Sequence, residues 1–457
     1  MPKYAEVLHQ TLAVIPVCLD EFTMGIGYGW LAPTLRQLEH NSTSVTSESH
    51  FFLTKDECSW IASLHSFGRA IGPILSAFLV DIIGRKFILI VHAVVAFLMW
   101  PFLLNRSVYI IYLVRIIFGI ALGMYEVANT VYIGENCSPK LRGILGSITA
   151  ACFYAGVFVE FILTSYLSYD TVIIINTVIG ALCLASILLL KEPAQFLLMK
   201  DREDEALKTL MWLKGTNDMA HVKPEFERIK QNVYVEKLKK FSPRTIFLSK
   251  ANYKSITIVL IIYLITASTG YEAITAFASM AFSSSEMLTQ DDFTILFGLL
   301  SLVAVCISSC IIERIDRRSF ILISFSFCTL VLLCTTVLFY LHDNNVTEIA
   351  NFSWLIFFTI TSYATIYGAA YPAIYIIRSE LFPLSVKAIG GCLSIIGNSV
   401  VGFVISNIFL VVAKDYGMYV NFLIFTIFSL ITVIYIYFVL PETRGKTLIE
   451  IQELLEK

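Results

Sequence analysis

Seven ionisable side chains interrupt long apolar stretches of this chain: Asp20, Glu21, Arg69, Arg115, Glu126, Glu160 and Glu272. Charges are expensive away from water, so such residues face a protein interior or a wet cavity, where they pair, hold protons or bind polar solutes. Arg69 is expected to pair with Asp20 or Glu21. That pair is either a brace between the first two helices or a site where one acid titrates. Glu272 is suited to accept a cation or amine, or to stay protonated as a neutral hydrogen-bonding group. The seven histidines form no cluster with metal-ligand spacing, and no nucleophile or cofactor motif emerges, so catalysis has no support. The ten cysteines are scattered through apolar runs, without a C-x-x-C pair or a disulfide framework.

The surroundings of these charges set the fold class. The 457 residues are 57% hydrophobic and 15% charged, with mean hydropathy +0.75. A water-soluble domain of this size could not hide so much apolar surface. A net charge of −2 gives no electrostatic case for nucleic acid. The lipid bilayer is the implied solvent, and an all-α protein of twelve spans satisfies its own backbone there. The spans are placed near 11–34, 58–80, 87–104, 108–132, 143–166 and 170–190, then near 255–279, 293–313, 319–341, 353–379, 388–413 and 418–440. The first apolar stretch is taken as a retained span, since no cleavage site of small residues follows it.

Fourteen of the 33 basic residues lie between 191 and 254, and the loops on the opposite side hold only Arg36, Lys55, Arg106 and Lys414. Basic loops stay in the cytoplasm, so both termini are expected there. The sequons at Asn41, Asn345 and Asn351, with Asn105, fall on or beside outer loops and are candidate glycosylation sites; Asn136 falls inside and would be silent. The expected partition is a first six-helix bundle over 1–190 and a cytoplasmic linker with short amphipathic helices over 191–254. A second six-helix bundle follows over 255–440, with a tail over 441–457.

The two halves echo one another. Asp81-Ile-Ile-Gly84-Arg85-Lys86 follows span 2, and Glu313-Arg-Ile-Asp-Arg317-Arg318 follows span 8. Glu135 precedes Arg142 by seven residues, as Glu380 precedes Lys387, and spans 6 and 12 both end in a Pro and a Glu. Repeated six-span bundles suit alternating access around a midplane site. The recurrent acids and bases are expected to clasp the inner rim and bias two states; the alternative is that they only set topology. Gly84 sits where helix 2 must stop and accepts positive φ.

With these residues in place, the chain resembles the sugar-porter branch of the major facilitator superfamily over nearly its whole length. The resemblance rests on Asp81-Ile-Ile-Gly-Arg-Lys, Arg115-x-x-x-Gly119-x-x-x-Gly123, Tyr132-Ile-Gly-Glu135 through Leu141-Arg142-Gly143, Glu380-Leu-Phe-Pro, and Pro441-Glu-Thr-Arg-Gly-Lys-Thr-Leu. Gly29-Trp30-Leu-Ala-Pro33 and Ser59-Trp60-Ile61 look like the insect facilitated trehalose transporters within that branch. The resemblance implies two six-helix bundles in the plasma membrane, a cytoplasmic helical segment and carriage of a small sugar or polyol. Uniport and proton coupling stay open, and a monomer is expected.

The departures fall in the sugar site that the resemblance implies. Ala150 stands where the family has a span-5 glutamine, and Thr266-Ala267-Ser268-Thr269-Gly270-Tyr271-Glu272 replaces Gln-Gln-x-Ser-Gly-x-Asn. Tyr375 replaces a span-10 tryptophan, while Asn398 matches a sugar-contacting asparagine. Arg115 matches the span-4 arginine of proton-coupled relatives, but Asp20 and Glu21 lie over a turn from its acid, whose place is closest to Ile26. Amides match the donor and acceptor roles of sugar hydroxyls, so their loss weakens a hexose site unless Thr266, Thr269 and Tyr375 compensate. The leading expectation is a facilitative carrier. The alternatives are an ion-coupled or organic-ion carrier, and a non-transporting sensor or scaffold that has lost its site.

Overall fold

The computed structural model describes residues 2–38, 52–238, 250–278, 289–312, 315–344, 353–382, 387–442, 444 and 450. Among them the chain is helical, with no strand. Eleven helices are long and apolar enough to cross a bilayer. The 29-residue helix Ser353–Leu381 adds a twelfth.

The first half comprises α1 (Pro2–Gly29) continued by α2 (Leu31–Leu38), α3 (Lys55–Ile83), α4 (Arg85–Leu103), α5 (Val108–Asn136), α6 (Pro139–Tyr166) and α7 (Tyr169–Leu188). Three short helices follow: α8 (Ala194–Met199), α9 (Glu203–Lys214) and α10 (Met219–Leu238). The second half comprises α11 (Lys250–Ala267) continued by α12 (Tyr271–Ala276), α13 (Gln290–Ile311), α14 (Arg317–Asp343), α15 (Ser353–Leu381), α16 (Lys387–Tyr416) and α17 (Met418–Val439).

The helix packing repeats between the halves. In the first, α1 lies on α6 and α7, α3 on α5, and α4 on α5 and α7. In the second, α11 lies on α16 and α17, α13 on α15, and α14 on α15 and α17. Two seams join the halves, α3 against α16 and α6 against α13, and the repeat exchanges one for the other. Even the helix starts correspond: Thr54 with Glu57 opens α3, and Thr289 with Asp292 opens α13, each as a reciprocal capping box.

Small residues explain the closest approach. Gly68 and Gly72 of α3 meet Gly119 and Gly123 of α5. A Cβ on Gly72 would lie 2.6 Å from the Gly123 Cα and the Met124 nitrogen. Lipid tails are as apolar as the helix faces, so such backbone contact is what holds membrane helices together. Gly84 ends α3 with φ +101°, as the turn there requires.

α8–α10 build a small core from Leu197, Leu198, Leu210, Val222, Phe226 and Val233. They rest on the first half through α1 and α5. Lys214 Nζ lies 2.8 Å from both Glu6 and Glu225, and the His9 ring stands edge-on to Trp212. Partial burial pulls the Lys214 ammonium down, but its bonds to Glu225 and Glu6 outweigh this and leave its pKa raised.

Candidate functional site

The centre of the molecule is built around a break in span 7. Gly270 adopts φ +81°, and the Phe425 ring fills the space where its Cβ would project. Any other residue would meet both the left-handed conformation and that ring. The break turns α12 so that one helical turn of it reaches three helices of the first half. Tyr271 meets Tyr154 of α6, hydroxyl to hydroxyl, at 3.1 Å. Thr275 meets the Tyr28 hydroxyl of α1 at 2.7 Å. Glu272 accepts from Ser66 at 2.9 Å and from Arg69 Nη1 at 3.1 Å, both on α3.

Arg69 is the hub. Its Nε and Nη2 donate to Glu126 Oε1 of α5 at 3.0 and 2.8 Å. Its Nη1 also donates to Asn398 Oδ1 of α16 at 2.9 Å. One guanidinium thus ties a carboxylate of its own half to a carboxylate and an amide of the other. With both glutamates ionised, the trio carries −1. Beside it lies a cavity of about 20 Å³ lined by Tyr28, His65, Ser66, Arg115, Glu272 and Ser406. That is room for about one water molecule and far too little for a sugar.

The expected pairing of Arg69 with Asp20 or Glu21 is not formed. Sequence neighbours are not packing neighbours here: α1 faces α6 and α7, while α3 faces α5 and α16. Asp20 instead meets His92 of α4, with both side chains fully buried. Glu21 accepts from Asn129 at 2.9 Å and Tyr125 at 3.3 Å. Glu160 accepts from Asn176 at 3.0 Å. Arg115 is buried and donates to the Ile61 carbonyl at 3.0 Å. Among the described residues no carboxylate pairs with it.

Of the other cavity candidates, Thr266 spends its hydroxyl on the Ile262 carbonyl of its own helix. Thr269 donates to the Thr266 carbonyl and accepts from Tyr363. Ala150 is half-buried on α6, one turn before Tyr154. Tyr375 bonds Thr130 across the halves. The hydroxyls missed from sequence are those of Tyr28, Tyr154 and Tyr271, with Tyr363, Tyr367 and Tyr371, which extend the expected Tyr375 into a ladder on α15. The signal was available, since four tyrosines spaced by four residues form one helical stripe. Tyr367 stacks on Tyr271 with centroids 4.4 Å apart.

At the end bearing α8–α10, the repeated charges form matching sets. Arg85 bonds Asp81 and Glu135, both at 3.1 Å, and Arg317 lies 3.4 Å from Glu380. The Lys86 backbone donates to Glu192 and the Arg318 backbone to Glu442, both at 3.0 Å. Arg142 donates to the Gly134 carbonyl at 2.5 Å. Burial pushes the Glu192 carboxyl up in pKa, with the Lys86 amide working against that shift. Each of these bonds lies within one half. Among the described residues the hydrogen bonds that cross between the halves at this end are Thr130 with Tyr375 and Cys392 with the Pro73 carbonyl. At the far end Arg36 pairs with Asp291 across the halves. Glu313, the Lys387 side chain, Asn41, Asn345 and Asn351 lie outside the described residues.

Comparison with known proteins places this geometry. The chain is 24% identical over 454 residues to a facilitated trehalose transporter of Bombyx mori, covering 97% of this chain and 86% of that one. It is 25% identical over 476 residues to the human solute carrier family 2, facilitated glucose transporter member 6, covering 96% and 90%. Its fold matches the partially occluded inward-open xylose transporter XylE from E. coli with TM-score 0.74 at 16% identity, over 96% and 99% of the two chains. The family model for sugar (and other) transporters spans residues 13–455. The chain therefore belongs to the sugar (and other) transporter family.

Proposed function

We propose that this protein is a facilitative carrier of an uncharged sugar or polyol, with trehalose and hexoses as the first candidates, working by alternating access in the plasma membrane with both termini cytoplasmic. The observation that carries the reading is the ring of polar contacts from α12 to α1, α3 and α6. These contacts lie between two repeated halves, where a solute would have to sit. Hydroxyl, guanidinium and carboxylate groups replace the amides of the family site. Together they supply both acceptors and donors, which a solute hydroxyl needs. The names of the relatives support sugars as the class. The acid–base sets around Arg85 and Arg317 are read as charges that hold each half's helix ends in register.

The test is purified protein in liposomes, assayed with labelled trehalose, glucose, polyols and organic cations, with and without a pH gradient. Saturable trehalose or glucose flux that ignores the pH gradient supports the reading. Flux that follows the gradient makes it a proton-coupled carrier, and binding without flux makes it a sensor.

A further inference from the structure

We infer that Arg69 stands in for the solute on Glu272 when the carrier is empty, so that the unloaded protein can cross its closed state. The inference rests on the carrier reading above and adds how the empty carrier returns.

The two acids of the trio differ in what they keep when the halves part. Glu126 sits on α5, in the same half as Arg69 and packed against the same helix, so that pair travels together. Glu272 sits in the other half, and both of its side-chain partners among the described residues, Ser66 and Arg69, are on α3. Separation of the halves strips Glu272 of both, and water then serves it. When the cavity closes again, Glu272 loses that water and needs donors. A bound polyol brings hydroxyl donors for Glu272, and its oxygens accept from Arg69. An empty cavity brings nothing, and in the structure Arg69 fills the role directly, with the cavity beside it too small for a sugar.

The forked geometry is what allows this. Nε and Nη2 hold Glu126 while Nη1 stays free to reach Glu272 and Asn398. A lysine ammonium is a single point and cannot span both acids in this way. A carrier that returns empty runs net flux; one that cannot is confined to exchanging solute for solute. A cationic solute would meet Arg69 and an anionic one Glu272, so a solute that replaces both carries no net charge.

The experiment compares net uptake into empty vesicles with equilibrium exchange, using labelled trehalose and glucose at saturating concentration. In Arg69→Lys, Glu126 keeps the ammonium and Glu272 is stranded only on the empty return. The ratio of exchange to net uptake is expected to rise about tenfold or more, because an unpaired acid is being closed into the protein. Adding Glu272→Gln removes the stranded charge, so Arg69→Lys/Glu272→Gln is expected to bring the ratio back to within about twofold of wild type. A monodisperse elution profile and the melting temperature in detergent report that each variant is folded, and saturating solute offsets the donor that the loaded site loses with Arg69. An unmoved ratio in Arg69→Lys, a ratio that the second substitution does not restore, or loss of exchange in Arg69→Lys each overturns the inference while leaving the carrier reading intact. Absence of any wild-type flux overturns both.

Discussion

His92 Nδ1 lies 3.0 Å from each carboxylate oxygen of Asp20, and neither side chain has any exposure to solvent. The pair joins α1 to α4 inside the first half, with Thr23 and Cys183 around it.

Removing one member of a buried pair costs far more than removing both. His92→Ala is therefore expected to lower stability by about 3–5 kcal/mol, read as a large fall in melting temperature in detergent. Asp20→Leu together with His92→Leu should recover much of that loss. Equal melting temperatures for the single and double variants would show the contact to be idle.

The α3–α5 crossing leaves no room for a side chain. Gly72→Ala places its Cβ against backbone of α5 that has no rotamer to change, and overpacking of this kind costs about 1–3 kcal/mol. Gly134→Ala, where nothing lies within 4 Å of the added carbon, is the matched control. Chemical denaturation should separate the two; the same midpoint for both would refute the packing account.

Tyr154→Phe deletes one hydroxyl of the cross-half pair with Tyr271 and leaves the ring in place. If solute hydroxyls insert there, losing one hydrogen bond worth about 1 kcal/mol raises KM roughly fivefold with little change in maximal rate. A fall in maximal rate at unchanged KM would assign the pair to closure instead of recognition.

Arg85 with Glu135 is more buried than its counterpart Arg317 with Glu380, at 7% and 10% side-chain exposure against 16% and 27%. Glu135→Ala should thus disturb the spacing of helix ends more than Glu380→Ala. Distances between spin labels on α3 and α5, and on α14 and α15, would report it. Unchanged distributions in the double variant would reduce these residues to topology signals.

The docking of α9 on α1 is expected to be indifferent to pH over the ordinary range. Lys214 has a pKa raised above the usual lysine value, through Glu225 and Glu6 against a partial cost of burial. A raised base contributes stability that is fully present below its unfolded pKa, ~10.4, and is lost only as pH climbs through the folded value. Limited proteolysis of the 191–254 stretch should therefore be flat from pH 6 to 9 and faster throughout that range in Lys214→Gln. A protection step near neutrality would contradict this.

Several features could be read from the chain alone, because they are local. Runs of apolar residues marked the spans, and the paired strings after spans 2 and 8 marked the repeat. Gly84 was identified by the turn it must make. The partner of Arg69 could not be read this way. Covalent order suggested α1 against α3, whereas a six-helix half brings α3 to α5 and places α1 on α6 and α7. The Asp20–His92 pair escaped notice for a related reason: one histidine in an apolar run means little until the helix opposite it is known. The tyrosine stripe on α15 is periodic and was there to be seen. What α15 faces, the Tyr271 ring across a broken helix, depends on tertiary structure.

The mooring of α8–α10 gives the two halves unequal company. Each has six spans, but among the described residues the α8–α10 insert packs on the first, held by Lys214, Trp212 and the foot of α1. The insert and first half are thus packed as one platform, so a motion between the halves would carry the insert with the first. A dye on α10 would sit still relative to α1 and travel relative to α17, so one labelled molecule could time each stroke of the cycle without touching the cavity.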